Sequence, residues 1–432
     1  MNILFTTEYF PPFTLGGAEW SAYWHAKGLS EKGHNVFVLT PNYAADKYEE
    51  EKDGRLTICR FPLVKLTSKR NNFINYFWLN PFWMYATSTR IYRLAKNHDI
   101  EVIHAQGKFS IPPMVLANLF LKRKTVATFR DYMALCNFGF CIQEGKHKCS
   151  ITDYFLEDYK YYWENYVEQK GLLKRLRSLA AALVGRLNSS GLFFFVKRIN
   201  GAAFVSKYVM DTYSANGLGV QVKKKVIYNS SPIESKLQLD DNEKTAVKQL
   251  VSYVDNEKII LFGSKISLGK GAVQFLEAAD KLTGKNQGYK FVLAGDIHLS
   301  PAVIERFKKN EKILFLGKIP HQQLNYLYTL AFAAVIPSLY QEPLSRITIE
   351  SMFHHVPVIS SNRGGQPEIV IDKETGLLVD PTKPEEIAAA IELLASDQEL
   401  YKKIQINAPA KIEEKFSLPV AISEIEKFYG TL

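Results

Sequence analysis

Twice along this chain, short apolar runs alternate with longer stretches of helical pattern, and that alternation constrains the fold more than any other feature. In the first half the runs are Asn2 to Thr7, Asn35 to Leu39, Glu101 to Ala105, Thr125 to Phe129 and Gly201 to Val205. In the second they are Lys258 to Phe262, Tyr289 to Ala294, Lys312 to Leu316, Phe332 to Ile336 and Val356 to Ile359, in a series that starts near Lys225. Apolar strands separated by helices indicate a parallel sheet covered on both faces. The helices include one opened by Gly16-Gly17 and stopped near Gly33, then Pro81 to Asn97, Ala272 to Leu282 and Pro320 to Leu330. Ser206 suits the N-cap of the helix after the fifth strand, and Pro384-Glu385-Glu386 opens a late helix with proline and acids in its first turn. The expected class is α/β, with two Rossmann-like, doubly wound domains in series. The 432 residues allow each to bury its own core. Between Cys136 and Asn200 the alternation fails, and this Tyr-, Phe- and Lys-rich stretch reads as a mostly helical insertion.

Ligands of doubly wound sheets bind beyond the carboxyl ends of the strands, and two such domains facing one another place a substrate in the cleft between them. Four cysteines in this length do not make a disulfide scaffold and suit a reducing compartment. No basic segment leads into a long apolar stretch at the N-terminus, and no apolar run approaches the roughly 20 residues that span a bilayer. The cytoplasm is the expected location, with the inner face of the cell membrane as a candidate place of work. Part of the net charge of +10 is local: Lys170, Lys174, Arg175, Arg177, Arg186, Lys197 and Arg198 share a stretch without an acid. Such a cluster points to an anionic surface or substrate. No nucleic-acid partner is expected.

Three segments carry chemistry. In SLYQEPLSRITIESMF, Glu342 stands in a loop after a strand and Glu350 lies eight residues on, in the following helix. Two carboxylates so spaced can reach two parts of one extended ligand, and each can accept two hydrogen bonds from a diol. Read without context, the same pair would be two solvated surface acids. In LFGSKISLGKGAVQFLEA, strand, loop and helix follow in order, with Lys265 and Lys270 in the loop and Gly271 opening the helix. Helix N-termini and adjacent lysines attract phosphates, although the Walker pattern GxxxxGK[ST] is absent. In TEYFPPFTLGGAEW, Gly16 and Gly17 at a helix start let a backbone approach a ligand closely, without forming the GxGxxG fingerprint.

Taken together and in this order, the segments resemble the retaining glycosyltransferases of family four, which have the GT-B fold. The resemblance covers nearly the whole chain and is strongest in the C-terminal half. There it rests on the Glu-x7-Glu pair, the basic residues five apart, the Pro-Ser after Ile336, Gly364-Gly365 with Pro367-Glu368, and Thr375 to Val379. The change from the first alternating series to the second puts the domain boundary near residues 217 to 233. The resemblance implies an acceptor-side domain over 1–220, a nucleotide-sugar-binding domain over 221–412, and a helix over 413–432 that returns to the first domain. It also implies that Glu350 holds the donor ribose, Glu342 contacts the transferred sugar, and Lys265 with Lys270 binds the diphosphate. Gly16, Gly17, Leu344, Ser345 and the main chain near Lys318 and Ile319 complete the donor site, the last facing the base. Asn229 matches an inter-domain asparagine without a firm role. His104, Arg130 and Asp131 are the acceptor-side residues.

The chain departs from the commoner family pattern in four places. Lys265 stands for arginine and loses the bidentate fork. Ser345 stands for glycine, beside Arg346. Gln106 replaces the second histidine of a His-Ala-His-Gly strand end. Arg130 precedes Asp131 where many members have histidine, in an Arg-Asp-Tyr form; arginine cannot act as a base at neutral pH but can stabilise a leaving phosphate. Lys265, Lys270, Glu342 and Arg130 are therefore the expected catalytic set. Positive groups aimed at the leaving diphosphate supply the stabilisation, so neither a cofactor nor a divalent metal is expected. The expected reaction is transfer of a sugar from a nucleotide-diphosphate donor to a glycan or lipid-linked acceptor, with retention, in bacterial surface polysaccharide assembly. The alternatives are a sugar-nucleotide epimerase on the same fold and a non-catalytic sugar-nucleotide-binding partner.

Two further signals stand apart. Cys136, Cys141, His147 and Cys149 could hold structural zinc, or be reduced thiols in an ordered loop. Leu172, Leu176, Leu179, Leu183 and Leu187 recur at helical spacing near basic residues and Phe193 to Phe195, as a membrane-surface helix would or as one packed on the domain.

Overall fold

The computed structural model describes residues 1–14, 16–62, 79–139, 147–167, 171–230, 239–284 and 288–432. The described chain forms two compact units, one running to Asn229 and including Leu418–Leu432, the other covering Ser230–Ser417.

The first unit is built on strands β1 (Asn2–Thr6), β2 (Asn35–Asn42), β3 (Glu49–Asp53), β4 (Leu56–Pro62), β5 (Val102–Ala105), β6 (Lys124–Phe129), β7 (Gly201–Phe204) and β8 (Lys223–Val226). They form one sheet in the order β3-β4-β2-β1-β5-β6-β7-β8, parallel except for the antiparallel β3–β4 pair. The strand order reverses beside β1, so the helices α1 (Gly17–Glu31), α2 (Pro81–Asn97) and α3 (Ile111–Leu121) serve a doubly wound sheet. Asn80 caps α2 by accepting from Phe82 N at 2.9 Å. The long helix α4 (Leu172–Val196) and α5 (Lys207–Ala215) follow, α5 capped by Ser206 Oγ, which accepts from Val209 N at 3.2 Å.

Ile3, Phe5, Val36 and Val38 of the sheet pack with Ala22, Ala26 and Leu29 of α1 and with Ile422, Ile425 and Phe428 of the C-terminal helix Leu418–Thr431. A side chain at Gly28 would come within 2.8 Å of Ile422 Cγ1, so glycine lets the two helices approach. Lys124 Nζ donates to Tyr429 O at 3.0 Å, and His34 Nε2 lies 2.7 Å from Glu426 Oε1, further ties of that helix to this unit.

The second unit carries α6 (Asp241–Leu250), β9 (Lys258–Phe262), β10 (Ile266–Ser267), α7 (Ala272–Thr283), β11 (Tyr289–Ala294), β12 (Ile297–His298), α8 (Pro301–Lys308) and β13 (Ile313–Gly317). Then come α9 (His321–Leu330), β14 (Ala331–Ile336), α10 (Arg346–Phe353), β15 (Val358–Ser361), β16 (Leu377–Val379), α11 (Pro384–Ser396) and α12 (Gln398–Lys415). Six strands form a parallel sheet in the order β13-β11-β9-β14-β15-β16, again with a reversal, here beside β9. Phe262, Phe275, Phe291 and Leu293 are fully buried in its core.

Two boundaries and one helix differ from the sequence-based expectation. β8 is hydrogen-bonded to β7 in the first sheet, so the first unit runs past 220 to Asn229, inside the expected 217–233 stretch, and Lys225 belongs to that sheet rather than opening the second series. α12 runs on to Lys415, so the returning helix starts at Leu418, not 413. And α4 has 25 residues with a mean hydropathy of 1.5 over its most apolar window, long and apolar enough by length and composition to cross a membrane.

Candidate active site

The loops that follow β9, β13, β14 and β15 lie at one end of the second sheet, because all its strands run parallel. They bear Lys265 and Lys270 after β9, Ile319 after β13, and Glu342, Leu344 and Ser345 after β14; Glu350 lies in α10. Glycines bring these loops together. Gly271 has φ +74°, and a side chain there would overlap Pro337 O, so only glycine lets the β9 loop pass against the β14 loop. A backbone bond from Leu339 N to Gly269 O, 2.9 Å, joins the same two loops. Gly364 has φ +62°, and an added Cβ would lie 2.6 Å from Glu342 N; next to it Gly365 N donates to Glu342 O at 2.7 Å.

This lacing sets Lys270 Nζ 2.6 Å from Glu342 Oε2, which also accepts from Ser338 Oγ at 3.0 Å. Glu342 is buried, yet its Oε1 has no partner among the described residues. The ammonium stands over the Tyr340 ring, 5.1 Å from its centre, beside the start of α7, where helix N–H groups add positive potential. Lys265 is exposed and has no ion-pair partner among the described residues.

Glu350 is buried as well. Its Oε1 accepts from Arg346 Nη2 at 2.9 Å and lies 3.4 Å from His321 Nε2. Burial pushes this carboxyl up, but Arg346 and His321 together outweigh it and hold the group below the usual carboxylate range. Glu350 is thus an ionised acceptor in a low-dielectric setting. Ser345, the departure from glycine, has a structural use: its Oγ accepts from Thr348 N at 3.3 Å and caps α10. Leu344 is buried and Ile319 half-buried.

In the first unit a cavity of about 210 Å³ lies at the carboxyl ends of β1, β5 and β6. Arg130 and Asp131 line it, as do Glu8, Tyr9, Gln106 and Lys108. Arg130 donates from Nη1 to Gln106 O at 3.0 Å and from Nη2 to Gln106 Oε1 at 2.6 Å. Asp131 is paired with Lys108 Nζ at 2.6 Å and accepts from Met133 N at 2.9 Å. Sequence reasoning missed Glu8 and Lys108. Glu8 is 6% exposed, its Oε1 lacks a partner among the described residues, and burial, only partly opposed by Lys108, pushes its carboxyl up to about 7. A lone acid in a loop carries no pattern; the signal was Gly107, where any side chain would overlap the Glu8 carboxylate.

Two sequence signals take these places in the fold. His104 stands behind the cavity rather than in its lining, bonded to Thr128, which does line it. The ring is buried between Tyr429 Oη at 2.6 Å and Thr128 Oγ1 at 2.7 Å, and burial holds it well below the ordinary imidazole range. The zinc set is not assembled: Cys136 Sγ bonds Asp158, Cys149 Sγ bonds Ser150 O, and His147 Nδ1 meets Thr212 Oγ1. Cys141 lies outside the described residues, and among them no His, Cys, Asp or Glu cluster is placed to hold a metal. Gly16 and Gly17 open α1 in the first unit. Gly16 has φ −174° and a Cβ there would meet nothing within 4 Å, so the fold does not demand glycine, and the helix start is left uncrowded.

Residues 15–230 match the model of Glycosyltransferase Family 4, and residues 244–411 match Glycosyl transferases group 1. The chain belongs to glycosyltransferase family 4. An uncharacterized glycosyltransferase of Methanocaldococcus jannaschii is 32% identical over 199 residues, 45% of this chain and 50% of that protein. The capsular polysaccharide biosynthesis glycosyltransferase CapM of Staphylococcus aureus is 24% identical over 45% of this chain and 51% of its own. The chain therefore spans about half the length of these curated relatives. The Anabaena HepE structure in complex with UDP superposes with a TM-score of 0.67 at 18% identity, covering 100% of both chains. At that identity the likeness shows the fold, GT-B with two Rossmann-like domains, and the family-4 chain shares it.

Proposed function

We propose that this family-4 chain transfers a sugar from a nucleoside-diphosphate donor to a glycan or lipid-linked acceptor, with retention, in the assembly of a bacterial surface polysaccharide. The observation that carries this reading is the Lys270–Glu342 pair together with the ionised, buried Glu350, which lies on the helix that follows the Glu342 loop at the strand ends of one sheet. Lys270 spends one of its three donors on Glu342 and keeps the others for phosphate oxygens. Glu342 keeps Oε1 for a hydroxyl of the transferred sugar. Glu350 accepts the ribose diol. Lys265, exposed and uncommitted, reaches the diphosphate from solvent, and the main chain at Ile319 faces the base. The HepE complex supports UDP as the first nucleotide to test.

As the anomeric bond breaks, charge collects on the leaving diphosphate. Lys270 and the α7 N-terminus are the fixed positive groups there, joined by the exposed Lys265, and such a term is usually the largest. On this account no divalent metal or cofactor is required, and Glu342 binds rather than attacks. The acceptor occupies the cavity of the first unit, where Arg130 and Lys108 supply positive charge, and Glu8 and Asp131 accept hydroxyl protons in hydrogen bonds. Relatives named as glycosyltransferases do not favour the epimerase or the non-catalytic partner. The test is turnover across a panel of nucleotide sugars with lipid and glycan acceptors. Transfer abolished by Glu350→Ala and by Lys270→Ala supports the reading; nucleotide binding without turnover on any donor would contradict it.

A further inference from the structure

The helix α4 has two unlike faces. One carries Ala182, Gly185, Ser189, Leu192 and Val196, all buried at alternating spacings of three and four. That face is tied down: Ser189 Oγ donates to Met133 O at 3.2 Å, and Arg186 Nη1 to Leu135 O at 2.7 Å. A side chain at Gly185 would overlap Asn137. The other face carries Leu172, Leu176, Leu179, Leu183 and Leu187, and it is bare. Leu172, Leu176 and Leu187 are 78%, 56% and 72% exposed, and Phe194 continues the stripe at 52%. The helix therefore holds the first unit with small residues and turns its large ones outward, the reverse of a helix that belongs only to a soluble core.

The charges say what covers that face. At about 100° per residue, Arg175 and Arg177 fall on either flank of the stripe at Leu176. Between Gly171 and Asn200 there are six basic residues and no acid. Near the far end Arg198 lies over the Phe194 ring, 3.3 Å from its centre. An apolar stripe edged by arginines fits the boundary between acyl chains and anionic headgroups, with the arginine stems along the apolar layer and their heads among phosphates. A protein partner would have to be both apolar and strongly acidic along the same line.

We propose that α4 lies in the plane of an anionic phospholipid membrane, its leucine stripe in the headgroup–acyl boundary and its small-residue stripe still packed on the first unit. It lies on the bilayer rather than crossing it, because crossing would break the Ser189 and Arg186 bonds and strip the buried stripe. Met133, whose carbonyl accepts from Ser189, also lines the cavity of the first unit, so a membrane under α4 would stand close to that cavity. The inference does not rest on the transferase reading; a catalytically inert chain with this helix would bind as well.

The test is flotation of the purified full chain with vesicles of phosphatidylcholine alone or mixed with an equal part of phosphatidylglycerol. The wild type is expected to float with the mixed vesicles, less so as salt is raised, and poorly with phosphatidylcholine alone. Leu176→Gln, Leu183→Gln and Leu187→Gln combined should weaken binding at least about tenfold, because each leucine buries part of its side chain on docking. The positions are exposed, so thermal melting and UDP-induced stabilisation should match the wild type. Arg175→Gln with Arg177→Gln should flatten the salt dependence. Wild type remaining with the unbound fraction on anionic vesicles would overturn the inference. So would a triple variant that floats like the wild type, or light scattering showing a dimer that the triple substitution makes monomeric, since a second copy would then cover the face.

Discussion

Arg130 grips Gln106 through both terminal nitrogens, one on the backbone carbonyl at 3.0 Å and one on the side-chain oxygen at 2.6 Å. Read along the chain, these are two separate departures from the family pattern. In the fold they are one feature, a guanidinium aimed along the cavity wall by an amide. His104 is buried elsewhere and His25, also buried, is pushed down to about 3, so no imidazole supplies a base to this cavity from those positions.

The pairing predicts energetic coupling. Gln106→Ala and Arg130→Ala should each destabilise the chain, and the double variant should fall short of their sum by about 1 kcal/mol or more. Urea denaturation of the four proteins measures this. Arg130→Ala should also cut transfer by about a hundredfold or more while leaving nucleotide binding to the second unit unchanged, since it removes charge on the acceptor side only. Additive stabilities would break the link between the two departures.

The Glu8 carboxyl makes stability fall with rising pH. Its native value is pushed up to about 7 from an ordinary 4.5, so between those limits the native state keeps a proton that the unfolded chain has released. The sign follows: the contribution is lost as pH rises through this window and levels off above it, about 3 kcal/mol in all. Glu8→Gln should remove that slope, so the variant gains on the wild type from pH 4 to pH 8 in denaturant melts. A constant difference across the range would refute a proton held on Glu8. The same variant should lower transfer without altering nucleotide affinity.

Gly364→Ala tests how the donor loops are laced. The left-handed backbone and the contact with Glu342 both oppose a Cβ there. A loss of about 2 kcal/mol or more is expected, together with weaker nucleotide binding, because the strand-end loop that carries Glu342 must move. Gly16→Ala, with open space around it, should leave stability within about 0.5 kcal/mol of wild type.

Both sheets were legible in the sequence because their central strands are mostly apolar and buried, and need no partner to reveal them. The edges were not. Glu49–Asp53 is charged at every position and Lys223–Val226 at three of four, and each is a strand only through hydrogen bonds to a neighbour. The placement of Glu342 and Glu350 was legible from spacing and the family pattern; their anchoring by Lys270 and Arg346 was not, since it depends on glycine contacts between distant loops. The burial of His104 was not legible, because its partner Tyr429 lies 325 positions away. The exposed leucines of α4 were legible as a stripe, but which stripe the domain buries was decided only by the fold.

The central claim is that Lys270, Glu342 and Glu350 form a nucleoside-diphosphate site, and calorimetric titration of UDP, GDP and ADP into the wild type and two variants tests it most directly. One of the three nucleotides should bind the wild type, and Lys270→Ala and Glu350→Ala should each weaken that binding about ten- to a hundredfold, the loss expected of a charged hydrogen bond. Equal affinity in all three proteins would contradict the account.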